Sequence, residues 1–251
     1  MEFIRIKCTG CLNSFRQPDF HTYHKTLPLP PKTTVAGLIG SALGISPRQV
    51  NDEWLKGNRF KMGIIGENNG KTNDLWQIRK YEAKQIAAYN KGTESTPYKT
   101  AVIIRELLYS STYVMYLCFE NKNDQIEIFE KLTNPKWALS LGREDELIRI
   151  TEIKNIELSE QENLHYKNTV LPFDININGY DISLDGQSKG NILEAGPQIV
   201  KLPITFAYKS DNEIREANDF QLFSFVGNLS VKPIYTRGFY DEGVSCAFQI
   251  F

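Results

Sequence analysis

His21, Tyr23, His24 and Lys25 fall within five residues, and proton transfer is the chemistry such a cluster could carry. One group would take a proton and another would return it. Yet neighbours in an extended loop point in different directions, and a lone loop histidine is usually a solvated side chain. The remaining histidine, His165, lies far along the chain. Cys8 and Cys11 form a C-x-x-C, half of a zinc site, but Cys118 and Cys246 stand alone and supply no second pair. In a strand that odd spacing sends the two thiols to opposite faces, so buried, inert cysteines are expected. No carboxylate pair, nucleophile elbow, phosphate-cradling lysine loop or metal cluster is visible, so neither cofactor nor metal is implied. A different chemistry shows in residues 76–105. Arg79, Lys80, Lys84, Lys91, Lys99 and Arg105 interleave there with Trp76, Tyr81, Tyr89 and Tyr98. Cations beside stacking rings suit single-stranded RNA, whose bases are splayed out. The same rings could instead be cross-strand pairs that stabilise a hairpin.

A second basic group brackets "HKTLPLPPKTTVAGLIGSALG", residues 24–44. Pro28, Pro30 and Pro31 hold the chain extended, so no helix can begin before Lys32. Thr33 or Thr34 can then cap it. Val35, Leu38, Ile39, Ala42 and Leu43 form one apolar stripe, and Gly44 ends the helix. Gly37 and Gly40 each cost about 1 kcal/mol against alanine, so a sheet or a ligand should come close to that backbone. Arg16, Lys25 and Lys32 flank the turn, and each alone reads as a solvated charge.

These cations sit in a chain whose net charge of −1 hides an asymmetry. Residues 1–109 carry sixteen Lys/Arg against nine Asp/Glu, and residues 110–251 carry thirteen against twenty-one. The first half therefore suits an anionic partner, unless the two halves simply attract each other. The opening "MEFIRIKCTG" alternates like a strand, and no apolar run approaches membrane-spanning length. A cytoplasmic protein with reduced thiols and no membrane partner is expected.

The elements that must position these groups follow from periodicity. Residues 2–8 read as a half-buried strand, with Ile4, Ile6 and Cys8 inward and Phe3, Arg5 and Lys7 on a basic, aromatic open face. Ser46, Pro47 and Gln49 open a short second helix closed by Gly57. Strands are predicted over 59–67 and 112–119, and a capped helix over 123–132. A strand, a turn and another strand are predicted over 137–153. Residues 75–90 and 96–109 flank a polar tip and read as a long protruding hairpin. With the hairpin and second helix set aside, the order is β-α-β…β-α-β, the ferredoxin-like split unit that also frames the RRM. The expectation is an α+β, ferredoxin-like βαββαβ domain over 1–157, with the hairpin inserted at about 68–104. Residues 158–251 form a C-terminal β-rich extension packed on the same domain.

Three stretches carry a resemblance. "SFRQPDFHTYHKTLPLPPKTTVAGLIGSALG" (14–44) resembles the start of CRISPR-associated proteins of the fifth family, RAMP-superfamily subunits of the type I surveillance complex, Cascade. Ser14, Phe15, Arg16, the prolines, Thr33, Thr34, Gly37, Leu43 and Gly44 fill the family's places. "RELLYSSTYVMYL" (105–117) is similar to its Arg-Glu-Leu and tyrosine-rich strand, and "LSLGRED" (139–145) to its Leu-Gly-Arg strand end. Beyond residue 157 the likeness is weak.

The resemblance implies a subunit that holds the 5′ handle of the CRISPR RNA and caps the row of backbone subunits. It also implies contact with the large subunit that inspects target DNA. The hairpin would be the family's thumb. RNA contacts then fall on Arg16, Lys25, Lys32, Thr33, Thr34, Arg79, Lys80, Lys84, Lys99, Arg105 and Arg143. Arg143 could equally pair with Glu144 or Asp145. One branch of the family cleaves repeat RNA without metal, so an endoribonuclease is the alternative to the expected non-catalytic subunit. A protein with no nucleic-acid role is a third. "RGFYDEG" (237–243) departs from the dense glycine loop that RAMP proteins often lay on RNA.

Overall fold

The computed structural model describes the chain except for residues 21, 22, 184–195, 210–213 and 235. The elements run β1 (Glu2–Asn13), β2 (Tyr23–His24), α1 (Lys32–Leu43), α2 (Pro47–Gln49), a π-helical segment (Val50–Leu55), β3 (Phe60–Glu67) and β4 (Lys71–Lys80). Then come α3 (Ala83–Asn90), β5 (Lys99–Phe119), α4 (Lys122–Thr133), β6 (Ile148–Glu157), β7 (Glu160–Glu162), β8 (Thr169–Leu171), α5 (Ile175–Asn178) and β9 (Tyr180–Ser183). The chain closes with β10 (Gln198–Tyr208), β11 (Arg215–Val226), β12 (Ser230–Pro233), β13 (Arg237–Asp241) and β14 (Cys246–Phe248).

Among the described residues one large sheet has the order β10-β11-β8-β3-β5-β1-β6, with β2 and β4 also paired to β5. Within it β3, β5, β1 and β6 are antiparallel neighbours. α1 joins β1 to β3, and α4 joins β5 to β6. Ile4, Ile6 and Cys8 of β1 pack into the main core with Leu38, Ile39 and Ile128 of these two helices. The C-terminal strands β8, β11 and β10 extend the same sheet beyond β3.

The other face of β1 is not open. Phe3 is fully buried and packs against Phe239 and Phe248, the latter stacked on Tyr116 with ring centroids 3.8 Å apart. A Cβ at Gly63 would meet Phe248, so β14 lies directly on β3. Arg5 is buried too, donating to Asp241 at 2.7 Å and Glu152 at 2.9 Å. The segment 237–243 thus forms β13 and its turn over β1, and its Asp241 neutralises the arginine that alternation alone leaves exposed.

Local differences have local causes. Pro31, not Thr33 or Thr34, is the N-cap of α1, and no side chain caps it: Thr34 N–H donates instead to the Pro31 carbonyl. Gly44 ends the helix in the left-handed region at φ 75°, as its position demands. A Cβ at Gly40 would collide with Val50, so that glycine serves contact with the next helical segment, whereas Gly37 faces open space. Ser46 and Gln49 form the full capping box. α3 interrupts the hairpin because Ala83, Lys84, Gln85, Ala87 and Ala88 are strong helix formers. Residues 137–142 contribute only the bridge Ser140–Leu147 and no strand. Cys8 is buried, which pushes its thiol up to about 12, while Cys11 on the opposite face is exposed. No helix among the described residues is long and apolar enough to cross a membrane.

Candidate nucleic-acid interface

Three strands, β2, β4 and β5, meet at the root of the hairpin. β4 pairs with β5 in the register Asp74↔Arg105 and Trp76↔Ile103, and β2 runs parallel on β5 with His24 beside Arg105. The Arg105 guanidinium lies 4.2 Å from the centre of the Trp76 ring, and its Nε donates to Asp74 at 3.1 Å. That of Arg143 lies 5.1 Å from the same ring, and its Nη2 donates to Nδ1 of His24 at 2.9 Å. Arg143 therefore turns inward to the histidine and the indole, not to Glu144 or Asp145. Arg105 is only 7% exposed, yet its Nη1 has no hydrogen-bond partner, and Asp145 is 3.7 Å away. Burial weakens the Arg105 charge, but Asp74, Asp145 and Glu146 outweigh it and raise its pKa.

The root is fixed by a buried carboxylate. Glu146 accepts from the Ser14 N–H at 2.7 Å, the Ser14 hydroxyl at 2.5 Å and the Arg143 N–H at 3.0 Å. Burial pushes this carboxyl up, and the three donors only partly offset it. The turn around it needs Gly142 at φ 120°, where a Cβ would strike Glu146 and the Ser14 carbonyl. Asn13 donates to the Leu141 carbonyl at 2.8 Å, and Phe15 packs edge-on to Tyr113. The Ser-Phe-Arg and Leu-Gly-Arg stretches, far apart in sequence, are thus one structural unit. Nothing in the sequence singles out Asp74 or Glu146, because each is recognised only by its partner across the fold.

The other predicted residues fall into three places. Arg16 and Lys25 flank Phe20: Arg16 Nη2 donates to its carbonyl at 3.3 Å, and Lys25 Nζ sits 5.4 Å over its ring. At the hairpin's far end Arg79 stacks over Tyr98 at 4.9 Å, Lys80 stands opposite Lys99, and Lys84 is exposed on α3. Lys99 is paired with Glu82 at 3.3 Å. Lys32, Thr33 and Thr34 start α1, where Lys32 donates to Asn58 at 3.1 Å and lies over Phe60. Burial and the nearby Lys61 push Lys32 down to about 8. The structure brings Arg105 and Arg143 together at Trp76, with Arg16 and Lys25 on the adjoining segment that carries His24. Of the proton-transfer cluster, His24 is buried against Arg143 and His21 lies outside the described residues.

A basic, aromatic hairpin rooted on a mostly antiparallel sheet with two crossover helices defines a mixed α+β protein. The family model described as CRISPR-associated protein (Cas_Cas5) matches residues 3–195, and the chain belongs to that family. Two solved structures share its fold. One is a chain described as a CRISPR RNA-guided surveillance complex, 14% identical, with a TM-score of 0.54 over 92% of this chain and 91% of that one. The other is a CRISPR protein from Archaeoglobus fulgidus, 11% identical, with a TM-score of 0.53 over 99% of each. No curated protein matches the chain in sequence.

Proposed function

We propose that this chain is a non-catalytic, RNA-binding subunit of a type I CRISPR surveillance complex. It holds and caps the 5′ handle of the CRISPR RNA in the cytoplasm, beside a backbone subunit and the large subunit that inspects target DNA. Family membership and the fold shared with a chain of a surveillance complex support the setting. The order β6-β1-β5-β3 with α1 and α4 as crossovers supports the ferredoxin-like reading, and β4–α3–β5 the reading as a thumb.

The observation that carries the RNA assignment is the hairpin surface, where Trp76, Tyr81 and Tyr89 are exposed beside the exposed Arg79 and Lys84. Rings and cations exposed together offer stacking to unpaired bases and charge to phosphates. A non-catalytic role accords with His24, whose buried ring is held by Arg143 where a proton shuttle must reach the reacting hydroxyl.

Co-purification with the other subunits, followed by sequencing of bound RNA, tests this reading. A handle-bearing RNA is expected, and an assembled complex without RNA would sink it. Incubating the chain with its own repeat RNA in EDTA tests the absence of catalysis. No product is expected; a handle-length product that disappears with His24→Ala would make the protein an endoribonuclease.

A further inference from the structure

Away from the hairpin, an open groove runs between α1, the residues that follow α4, and the far end of the β10–β11 ribbon. Each wall is fixed by backbone and presents a flat side chain. Lys136 and Trp137 donate their N–H groups to Ala42 and Ser41, the last carbonyls of α1, which leaves the Trp137 indole 62% exposed on the rim. Opposite, the buried Asn51 side chain clamps the Phe206 backbone through two hydrogen bonds, of 2.8 and 2.9 Å. The Arg215 guanidinium lies over that phenyl ring at 4.7 Å. Beyond it on the same ribbon Arg48 lies over Tyr208 at 5.5 Å. The floor is Gly37, where a Cβ would meet no atom within 4 Å. Asn51 belongs to the π-helical segment, a distortion that is often found at functional sites.

We propose that this groove is a second RNA subsite, which takes one nucleotide of a single strand between Trp137 and the Arg215–Phe206 pair. An unpaired base stacks on an exposed indole whatever its sequence, and a guanidinium carried on a ring is already oriented for a phosphate. Glu144 lines one rim and keeps a phosphate to the Arg215 side. The subsite adjoins the hairpin root through residues 140–146, since Ser140, Gly142 and Glu144 line the groove while Arg143 turns to Trp76. The inference rests on the RNA-binding reading above. It adds a contact in the acidic half of the chain, where no charge pattern announces one.

The test uses the purified full chain and its own repeat RNA, labelled at the 5′ end, in titrations at several salt concentrations. Trp137→Ala should weaken binding roughly ten-fold, with Trp137→Phe retaining most of it. Arg215→Ala should lower the salt slope by about 0.7, the share of one phosphate contact in single-stranded RNA. Gly37→Phe sets its Cβ in open space and its ring into the groove, so it should leave the melting temperature unchanged or raise it while RNA affinity falls. Wild-type affinity in Trp137→Ala and Gly37→Phe, alongside a loss in Arg79→Glu, would overturn this subsite and leave the hairpin reading standing. If the wild-type chain bound no RNA at all, both would fall.

Discussion

Arg5 Nη1 and Asp241 Oδ2 lie 2.7 Å apart, although 236 residues separate them, and both side chains are buried. This pair ties the first strand to the last part of the chain, and Tyr116 donates to the same carboxylate at 2.9 Å. Burial pushes Asp241 up, but the bonds from Arg5, Tyr116 and Gly243 outweigh it and hold the carboxyl below its ordinary value. Its stabilisation is therefore present above about pH 3.9 and lost as pH falls through the lower folded value. Asp241→Asn should cost about 3 kcal/mol at pH 7 in urea unfolding, Glu152 remaining to pair with Arg5. The variant should also lose less stability than wild type between pH 5 and pH 2; equal losses would show that Asp241 does not titrate as argued.

Lys32 titrates in the opposite sense. With its ammonium pushed down to about 8, it is charged at neutral pH and discharges in mild alkali. If a phosphate sits there, RNA affinity should fall from pH 7 to pH 9, and Lys32→Met should flatten that fall. An unchanged pH profile in Lys32→Met would remove Lys32 from the RNA surface.

Trp76 holds both arginines at the hairpin root. Trp76→Ala should cost about 1–2 kcal/mol of stability, from two cation–ring contacts of which one is largely buried. It should also weaken RNA binding, because Arg105 and Arg143 lose their common support. If stability drops while RNA affinity holds, the indole is a brace and nothing more.

Shortening residues 79–99 to a two-residue turn should leave the core folded, since these residues contribute little to it. Melting should match wild type and circular dichroism should lose only the share of α3, while assembly with the other subunits fails. Normal assembly of the trimmed chain would refute the thumb assignment.

Much of the frame was legible because period decides it: alternation in β1, the 3.6-residue stripe of α1, and the capping box of Ser46 and Gln49 are local. What escaped was tertiary. Phe3 and Arg5 look like an outer face until Phe248 and Asp241 arrive from the other end of the chain. The hairpin was legible but α3 was not, because tyrosines and basic residues at both ends suggested strand where alanines between them favour helix. Of the site, Arg105 and Arg143 stood out as cations, but their meeting at Trp76 depends on register and on the Gly142 turn. Arg215 and Phe206 become neighbours only through the β10–β11 ladder.

β5 carries one further consequence. Its 21 residues run unbroken from the hairpin's far end to the core, a span of about 70 Å if fully extended. Ser110, in the left-handed region at φ 49°, marks where pairing with β4 gives way to pairing with β3. Such a strand is a gauge graduated in twos. One residue added between Lys99 and Ser110 would exchange the face of Lys99 and Ala101 for that of Thr100 and Val102. Two would restore the faces and carry the far end about 7 Å outward. Length variation in this arm is therefore expected in even steps, each resetting how far from the core its cations can reach.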